Sequence, residues 1–240
     1  MAEFVPPAAV SSIFAGSGLP ELMGPKNLKA RGVTSAKEYV EKYSLGLVDW
    51  QRVSPDAMRR VHSATVRAKR ACMNAGYVAL SRMRWRFCLC DASVENGYPH
   101  TIGDVIIIPL LKVQRRLSDG DLEKLFVHEA VHVAQRRDPE GAYDLVIGEW
   151  GFRELTIEEA ERVYGLGEAR VNPDTDQKIY RLGSDICHPV FVSDPESLAD
   201  IELLPSPSHP IFSRSVRNHE HPFEIMAETV ANSVYPGNTS

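Results

Sequence analysis

The sequence predicts an α+β domain. Apolar residues recur at helical spacing in four segments, whereas two runs rich in β-branched or aromatic residues and one hairpin pattern indicate strands. The helical segments are residues 35–43, 54–74, 122–137 and 222–234, and the strand segments are 84–90, 104–109 and 178–192. Of the 240 residues, 43% are hydrophobic and 25% are charged, which suffices for one large core, so we expect a single domain.

Composition excludes several classes of partner. The net charge of −5 offers no basic field for nucleic acid or for an anionic membrane surface, so we expect neither. The four cysteines form no C-x-x-C pair and are expected to be reduced thiols. Residues 1–20 lack the Lys or Arg that begins a secretory signal, and the longest apolar run, VIIIPLL, is too short for a bilayer. We therefore expect a cytoplasmic protein, and its oligomeric state stays open.

The first 33 residues are interrupted by turn formers, including Pro6-Pro7 and Gly24-Pro25. We expect residues 1–33 to form a loosely packed N-terminal arm, which carries no recognisable catalytic motif. The single domain is then expected to span residues 34–240.

Helix-capping residues mark the starts of the next helices. One helix is predicted over residues 35–43, and a longer one over 55–74 with Ser54 as its N-cap and a proline at its first position. A short helix is predicted further along, at residues 156–164, where Thr156 begins a capping-box pattern.

Two strands are predicted between the long helices. Residues 84–90 alternate large apolar with polar or small side chains, as a half-buried strand does. Residues 104–109 are strongly β-branched, and the terminal Pro109 suits a sheet edge, although a core strand fits the pattern equally well. An open edge there can hold an extended peptide by main-chain hydrogen bonds. His100-Thr101, just before this strand, either contacts the site or turns the chain.

The segment 122–137 carries the main chemical signal, because it places His128, Glu129 and His132 in the order H-E-x-x-H on one predicted helix. Residues four apart on a helix lie about 5–6 Å apart at Cβ, so both imidazoles can bind one zinc ion at about 2.0–2.1 Å. Glu129 lies about 100° further round the helix and can reach a zinc-bound water without binding the metal itself.

Apolar residues surround this motif, so the helix is expected to be buried. Ser118 or Asp121 can cap its start, and Asp138-Pro139 follow its end. A buried polar group without a partner costs about 2–7 kcal/mol, so the two histidines and the glutamate must be hydrogen-bonded or bound to metal. We expect a zinc site here rather than a chance match.

Beyond the motif, residues 172–176 contain Asp174 and Asp176, but the spacing of a calcium loop does not continue, so we expect a solvated turn. A β-hairpin is predicted to follow, with strands at residues 178–182 and 186–192 around a Gly-Ser-Asp turn.

The last helix, residues 222–234, offers a carboxylate to the predicted metal site. Glu224 and Glu228 lie one above the other at the border of its apolar face, so periodicity alone does not choose between them. Glu224 follows Pro222 in the first turn, where exposed N–H groups favour a carboxylate, and this position favours Glu224 as the ligand. Glu228 is then free to accept a hydrogen bond from the outer nitrogen of a ligand histidine.

H-E-A-V-H at 128–132 followed by E-I-M-A-E at 224–228 resembles the glutamate-zincin metallopeptidases, and the lethal-factor type, with its E-x-x-A-E helix, is the most similar. Residues 98–135 and 218–232 carry this resemblance, which extends to uncharacterised zincin-like proteins of large DNA viruses and algae. The separation between His132 and Glu224 is longer than in the thermolysin pattern. The resemblance implies a zincin-like fold, in which the edge strand of a small mixed sheet packs on the H-E-x-x-H helix and a C-terminal helix bears the glutamate.

The same resemblance implies His128, His132 and Glu224 as zinc ligands, Glu129 as general base and Glu228 as the partner of a ligand histidine. The expected function is hydrolysis of peptide bonds in a peptide or protein substrate, with Zn²⁺ as cofactor. His219 or His221 is our candidate for stabilising the oxyanion, followed by Tyr180.

Two other classes of function remain open at this point. One is a non-catalytic zinc-stabilised binding or structural protein, in which His219 or His221 closes the coordination sphere and leaves no room for water. The other is a metal-free interaction domain whose buried H-E-H set is only hydrogen-bonded.

Overall fold

The computed structural model describes residues 2–156, 158–160, 168–187, 189–203, 211 and 220–236. A mixed sheet lies at its centre. The strands of this sheet are β1 (Glu3–Phe4), β2 (Leu47–Val48), β3 (Arg86–Cys90), β4 (His100–Ile102) and β5 (Val105–Pro109). β1, β3 and β5 are parallel, β2 runs antiparallel to the end of β3, and β4 runs antiparallel to β5 at one edge. The predicted α+β class is confirmed.

β5 is a central strand, so of the two interpretations left open for residues 104–109 the core strand is confirmed and the sheet edge is wrong. It pairs with β3 on one side and with β4 on the other, and all five of its residues are buried. A strand that is covered on both faces has a continuous apolar sequence, as β5 does. Its terminal proline does not show whether the strand lies at the centre or at the edge of the sheet. The edge strand beside β5 is β4, which begins at His100.

Alternate side chains of β3 and β5 enter two separate cores. On one face, Phe87, Leu89, Ile106 and Ile108 pack with three helices. These helices are α4 (Pro55–Asn74), α6 (Asp119–Arg137) and the C-terminal helix α8 (Pro222–Val234), and α6 packs against both of the others. The H-E-x-x-H helix therefore lies directly under the sheet, between α4 and α8.

The opposite face of the sheet is covered by the N-terminal residues. α1 (Pro7–Ala15) and α3 (Ala36–Gly46) pack there, with Val10 and Phe14 fully buried. The ring of Phe14 stacks on that of Tyr43, with 3.7 Å between their centroids. The expectation of a loosely packed arm at residues 1–33 is therefore wrong for the described residues 2–33. Turn formers mark where the chain bends, but they do not report whether the segments between the bends are buried.

Helices are present at the predicted segments 35–43, 55–74, 122–137 and 222–234, and Ser54 is the N-cap that the sequence predicts. The hydroxyl of Ser35 accepts the N–H of Glu38 at the start of α3, and the hydroxyl of Ser54 accepts the N–H of Ala57 at the start of α4. Ser118 caps α6. Shorter helices are α2 (Pro25–Ala30), α5 (Val78–Arg82) and α7 (Pro139–Tyr143). Of the short helix predicted at 156–164, residues 158–160 are helical, while 157 and 161–164 lie outside the described residues.

Two small sheets complete the described structure. One contains β6 (Arg153–Leu155), β7 (Ile179–Leu182) and β8 (Asp185–Cys187), and the β7–β8 pair is the predicted hairpin. The other pairs β9 (Pro189–Phe191) with β10 (Ile201–Leu203), so the predicted second hairpin strand is split between two sheets. Among the residues described, no helix combines the length and the apolar character needed to cross a bilayer.

Phe14→Ala is expected to lower the free energy of unfolding by about 3–5 kcal/mol, because it opens a cavity beneath the sheet. The matched control is Leu45→Ala on α3, whose side chain is 85% exposed and whose loss should cost under about 0.5 kcal/mol. Urea denaturation of both variants measures the difference. Equal, small effects would show that the N-terminal residues do not support the fold.

Candidate metal centre

Two histidines of α6 and one glutamate of α8 direct their ligand atoms to one point. His128 Nε2 lies 3.2 Å from Glu224 Oε2, His132 Nε2 lies 3.5 Å from the same oxygen, and the two Nε2 atoms are 3.1 Å apart. Ligands at about 2.0–2.1 Å from a tetrahedral zinc ion lie about 3.3–3.4 Å from one another. The three residues predicted as ligands are thus brought together at distances that suit one such ion.

Neighbouring side chains orient each member of this cluster. His132 is fully buried, and its Nδ1 lies 2.9 Å from Gln135 Oε1, while Gln135 Nε2 donates to the carbonyl oxygen of Phe223 at 2.9 Å. His128 Nδ1 lies 3.6 Å from Glu228 Oε2, the place predicted for this second glutamate. Partners of this kind fix the ring orientation of a metal-binding histidine. Gln135 was missed from the sequence, although its position three residues after His132 on one helix was a usable signal.

Glu224 is held by a residue that no sequence pattern indicated. Asn172 Nδ2 donates to Glu224 Oε1 at 2.7 Å, across 52 residues of sequence, and the other oxygen faces the histidines. Glu228 lies beside the outer nitrogen of His128, Nδ1, and its other oxygen is 3.4 Å from Lys124 Nζ. Of the two glutamates, Glu224 is therefore the one whose oxygen faces both Nε2 atoms.

Charges within the cluster stabilise one another. Burial alone would raise the pKa of Glu224, but the charge of His132 and hydrogen bonds from both histidines lower it well below its usual range. Burial likewise opposes the charged form of His128, yet hydrogen bonds to Glu224 and Glu228 raise its pKa above its usual range. A cation that binds these nitrogens must displace their protons, so its affinity falls as the solution becomes more acidic.

Glu129 occupies the position expected of a general base. Its side chain is buried, and its Oε2 has no hydrogen-bond partner among the described residues. Burial, followed by the charge of Asp174, raises the pKa of Glu129 to about 8. An unpaired buried carboxylate oxygen is costly in free energy, and such groups concentrate at functional sites.

A cavity of about 880 Å³ opens beside the cluster and is lined by His128, Glu129 and Glu224. Its size is within the range of small-molecule and cofactor sites. Charged residues of both signs complete its wall, namely Arg31, Glu95, Lys112, Asp121, Lys124, Arg170, Asp174, Glu220 and Glu228. The side chains of Glu129 and His128 therefore line one cavity, whose wall also contains apolar residues such as Leu125 and Val171.

The edge strand near the cavity is closed at Thr101. The main-chain N–H of Thr101 donates to Asp174 Oδ1 at 2.7 Å, and its carbonyl oxygen accepts from Arg136 at 3.3 Å. Asp174 is only 7% exposed, so the expectation of a solvated turn at residues 172–176 is wrong. The expectation of an open edge for a peptide does not hold at this residue either. His100 lines the cavity, and its Nε2 lies 2.8 Å from the hydroxyl of Tyr43.

The predicted oxyanion donors lie elsewhere or outside the described residues. His221 caps α8, because its Nδ1 accepts the N–H of Phe223 at 3.1 Å, and its Nε2 lies 3.0 Å from Asp176 Oδ1. Tyr180 donates to Asp176 as well, at 2.8 Å. Neither residue lines the cavity, so the structure gives no support to His221 or Tyr180 as an oxyanion donor. His219 lies outside the described residues.

The donor set of two imidazole nitrogens and one carboxylate oxygen is that of catalytic zinc sites, which leave one position open. Here the open side is the cavity, and Glu129 stands next to it. Comparisons of the chain with protein-family models, with curated proteins and with solved structures find no match. The chemistry of these side chains is therefore the basis for assigning a function.

Glu224→Ala is expected to abolish zinc binding, because among the described residues it removes the one carboxylate that faces both Nε2 atoms. Glu228→Ala should retain zinc with affinity weakened about 10–100-fold, because it removes only the partner of His128. Parallel zinc titrations of the two purified variants distinguish these outcomes. Total loss confined to Glu228→Ala would reverse the assignment.

Proposed function

We propose that this chain is a zinc-dependent metallopeptidase of the glutamate-zincin type. The observation that carries the proposal is the convergence of His128, His132 and Glu224 next to the buried, unpaired carboxylate oxygen of Glu129. The antiparallel edge strand beside β5 and the glutamate-bearing helix α8 agree with a zincin-like arrangement around α6.

In this proposal His128 Nε2, His132 Nε2 and Glu224 Oε2 hold the metal ion. A bound zinc ion supplies Lewis acidity, which lowers the pKa of a coordinated water from about 15.7 towards 7 and polarises a carbonyl group. Glu129 Oε2 accepts the proton of the attacking water and returns it to the leaving amine. Gln135 and Glu228 hold the two imidazole rings in the orientation that directs both Nε2 atoms to one point.

The proposed substrate is a peptide or protein whose scissile bond enters the cavity. Asp174 and Arg136 occupy the main-chain groups of Thr101, so the substrate does not pair with this residue as an added strand. In this proposal the side chains of the cavity wall bind it instead. All four cysteines are free and buried, which fits the cytoplasmic location that we propose.

The two alternatives fit the described residues less well. A non-catalytic zinc site needs a fourth protein ligand, but His221 is turned to Asp176 and the described cluster contains three ligand residues. A metal-free interaction domain would satisfy its buried polar groups by hydrogen bonds, yet Glu129 Oε2 has no such partner in the described part of the chain.

Glu129→Gln is expected to keep the fold and the zinc but to lower the rate of peptide cleavage about 10²–10⁴-fold, because an amide cannot accept the proton. The control is Glu140→Gln on α7, which changes an exposed carboxylate in the same way. Zinc stoichiometry and cleavage of a peptide library are measured for wild type and both variants. Cleavage by Glu129→Gln near the wild-type rate, or wild-type protein that binds no zinc, would refute the proposal.

A further inference from the structure

Helix α2, near the N-terminus, is hydrogen-bonded to residues 168–171, the segment that precedes Asn172. The Glu168 carboxylate accepts the main-chain N–H groups of Lys26 and Asn27 at 3.1 and 2.9 Å, which caps the start of α2. Asn27 is 1% exposed, and its amide nitrogen donates to Ala169 O at 2.7 Å while its oxygen accepts the N–H of Val171 at 2.8 Å. One buried side chain of α2 thus binds the main chain of this segment at two points.

Arg31 makes a third attachment to the same segment. Its guanidinium donates to the carbonyl oxygen of Val171 at 2.9 Å and forms two bonds to Glu95, at 3.0 and 2.8 Å. Both side chains of this ion pair are 3% exposed. A bidentate buried pair has little freedom to rotate, so Arg31 is fixed and Val171 is fixed with it.

The next residue, Asn172, connects the segment to the metal centre. Its Oδ1 accepts the main-chain N–H of Asp174 at 2.9 Å, and this bond sets the orientation of the amide so that Nδ2 faces Glu224. Nδ2 then holds Glu224 Oε1, and Glu224 Oε2 remains directed at the two histidines. Loss of this donor removes a hydrogen bond that fixes which oxygen of Glu224 faces the histidines.

We propose that Asn172 is a positioning residue for Glu224, and that Asn27 and Arg31 keep Asn172 in place. The N-terminal helix α2 and Arg31 thereby support the metal centre through residues 168–172. This inference rests on the proposed zinc site and assigns it a support that comes from the start of the chain.

Asn172→Ala is expected to weaken zinc binding about 10–100-fold, as loss of a hydrogen-bond partner of a metal ligand typically does. Asn27→Ala should weaken it in the same direction, because the segment loses its two attachments to the amide of Asn27. The double variant should bind zinc no more weakly than the single variant with the lower zinc affinity, since both changes act on one chain of contacts. Asn172→Gln, which keeps an amide donor, should recover part of the affinity.

The zinc dissociation constant is measured by competition with a chromophoric chelator, and the melting temperature is measured without metal. Ile186→Ala controls for general destabilisation, because this buried residue belongs to a separate core cluster. It should lower the melting temperature and leave zinc affinity unchanged. If Asn27→Ala does not fold, Glu168→Gln replaces it, since it weakens the cap of α2 at nearly constant volume.

If Asn172→Ala binds zinc as tightly as the wild-type chain does, the assignment of Asn172 is overturned. The proposed function would still stand in that case, because the wild-type chain binds zinc. Additive effects of Asn27→Ala and Asn172→Ala would overturn the link to the N-terminal segment. A wild-type chain that binds no zinc would instead refute the proposed function, so the two failures are distinguishable.

Discussion

The burial of α6 is the constraint on which the rest of the structure depends. This helix carries two histidines and a glutamate under a sheet, where a buried polar group is costly unless it has a partner. The fold supplies partners for the histidines: Gln135 for His132, Glu228 for His128, and Glu224 for both. Glu129 Oε2 is buried and has no hydrogen-bond partner among the described residues. This unpaired oxygen is the feature that favours the proposed catalytic role over a purely structural one.

The packing of the N-terminal helices on the sheet is explained by a similar need for burial. A parallel sheet needs cover on both faces, and α4, α6 and α8 cover only one. α1 and α3 supply the second layer, and the turns between them carry α2 to the segment that holds Glu224. Packing of the sheet and geometry of the site are therefore connected through one stretch of chain.

Sequence reasoning succeeded where the determinants were local. The cap Ser54, the cap candidate Ser118 and the apolar periodicity located helices. The spacing within α6 identified His128 and His132, and the first-turn position favoured Glu224 as the residue that meets them. It did not succeed where the determinants were distant in sequence. Whether a β-branched strand is central depends on strands that pair with it, and the role of Asn172 depends on a contact across 52 residues. His221 has an ambiguous sequence environment, because a helix cap and a catalytic donor both favour a polar residue at that position.

The closed edge at Thr101 has a consequence for the behaviour of the protein in concentrated solution. An unpaired strand at a sheet edge presents free N–H and C=O groups that can template pairing with another copy of the chain. Asp174 and Arg136 occupy both main-chain groups of Thr101, and Arg136 also reaches the carbonyl oxygen of Gly103. The same contacts that place Asp174 near Glu129 thus leave Thr101 without free main-chain groups for pairing with a strand of another copy.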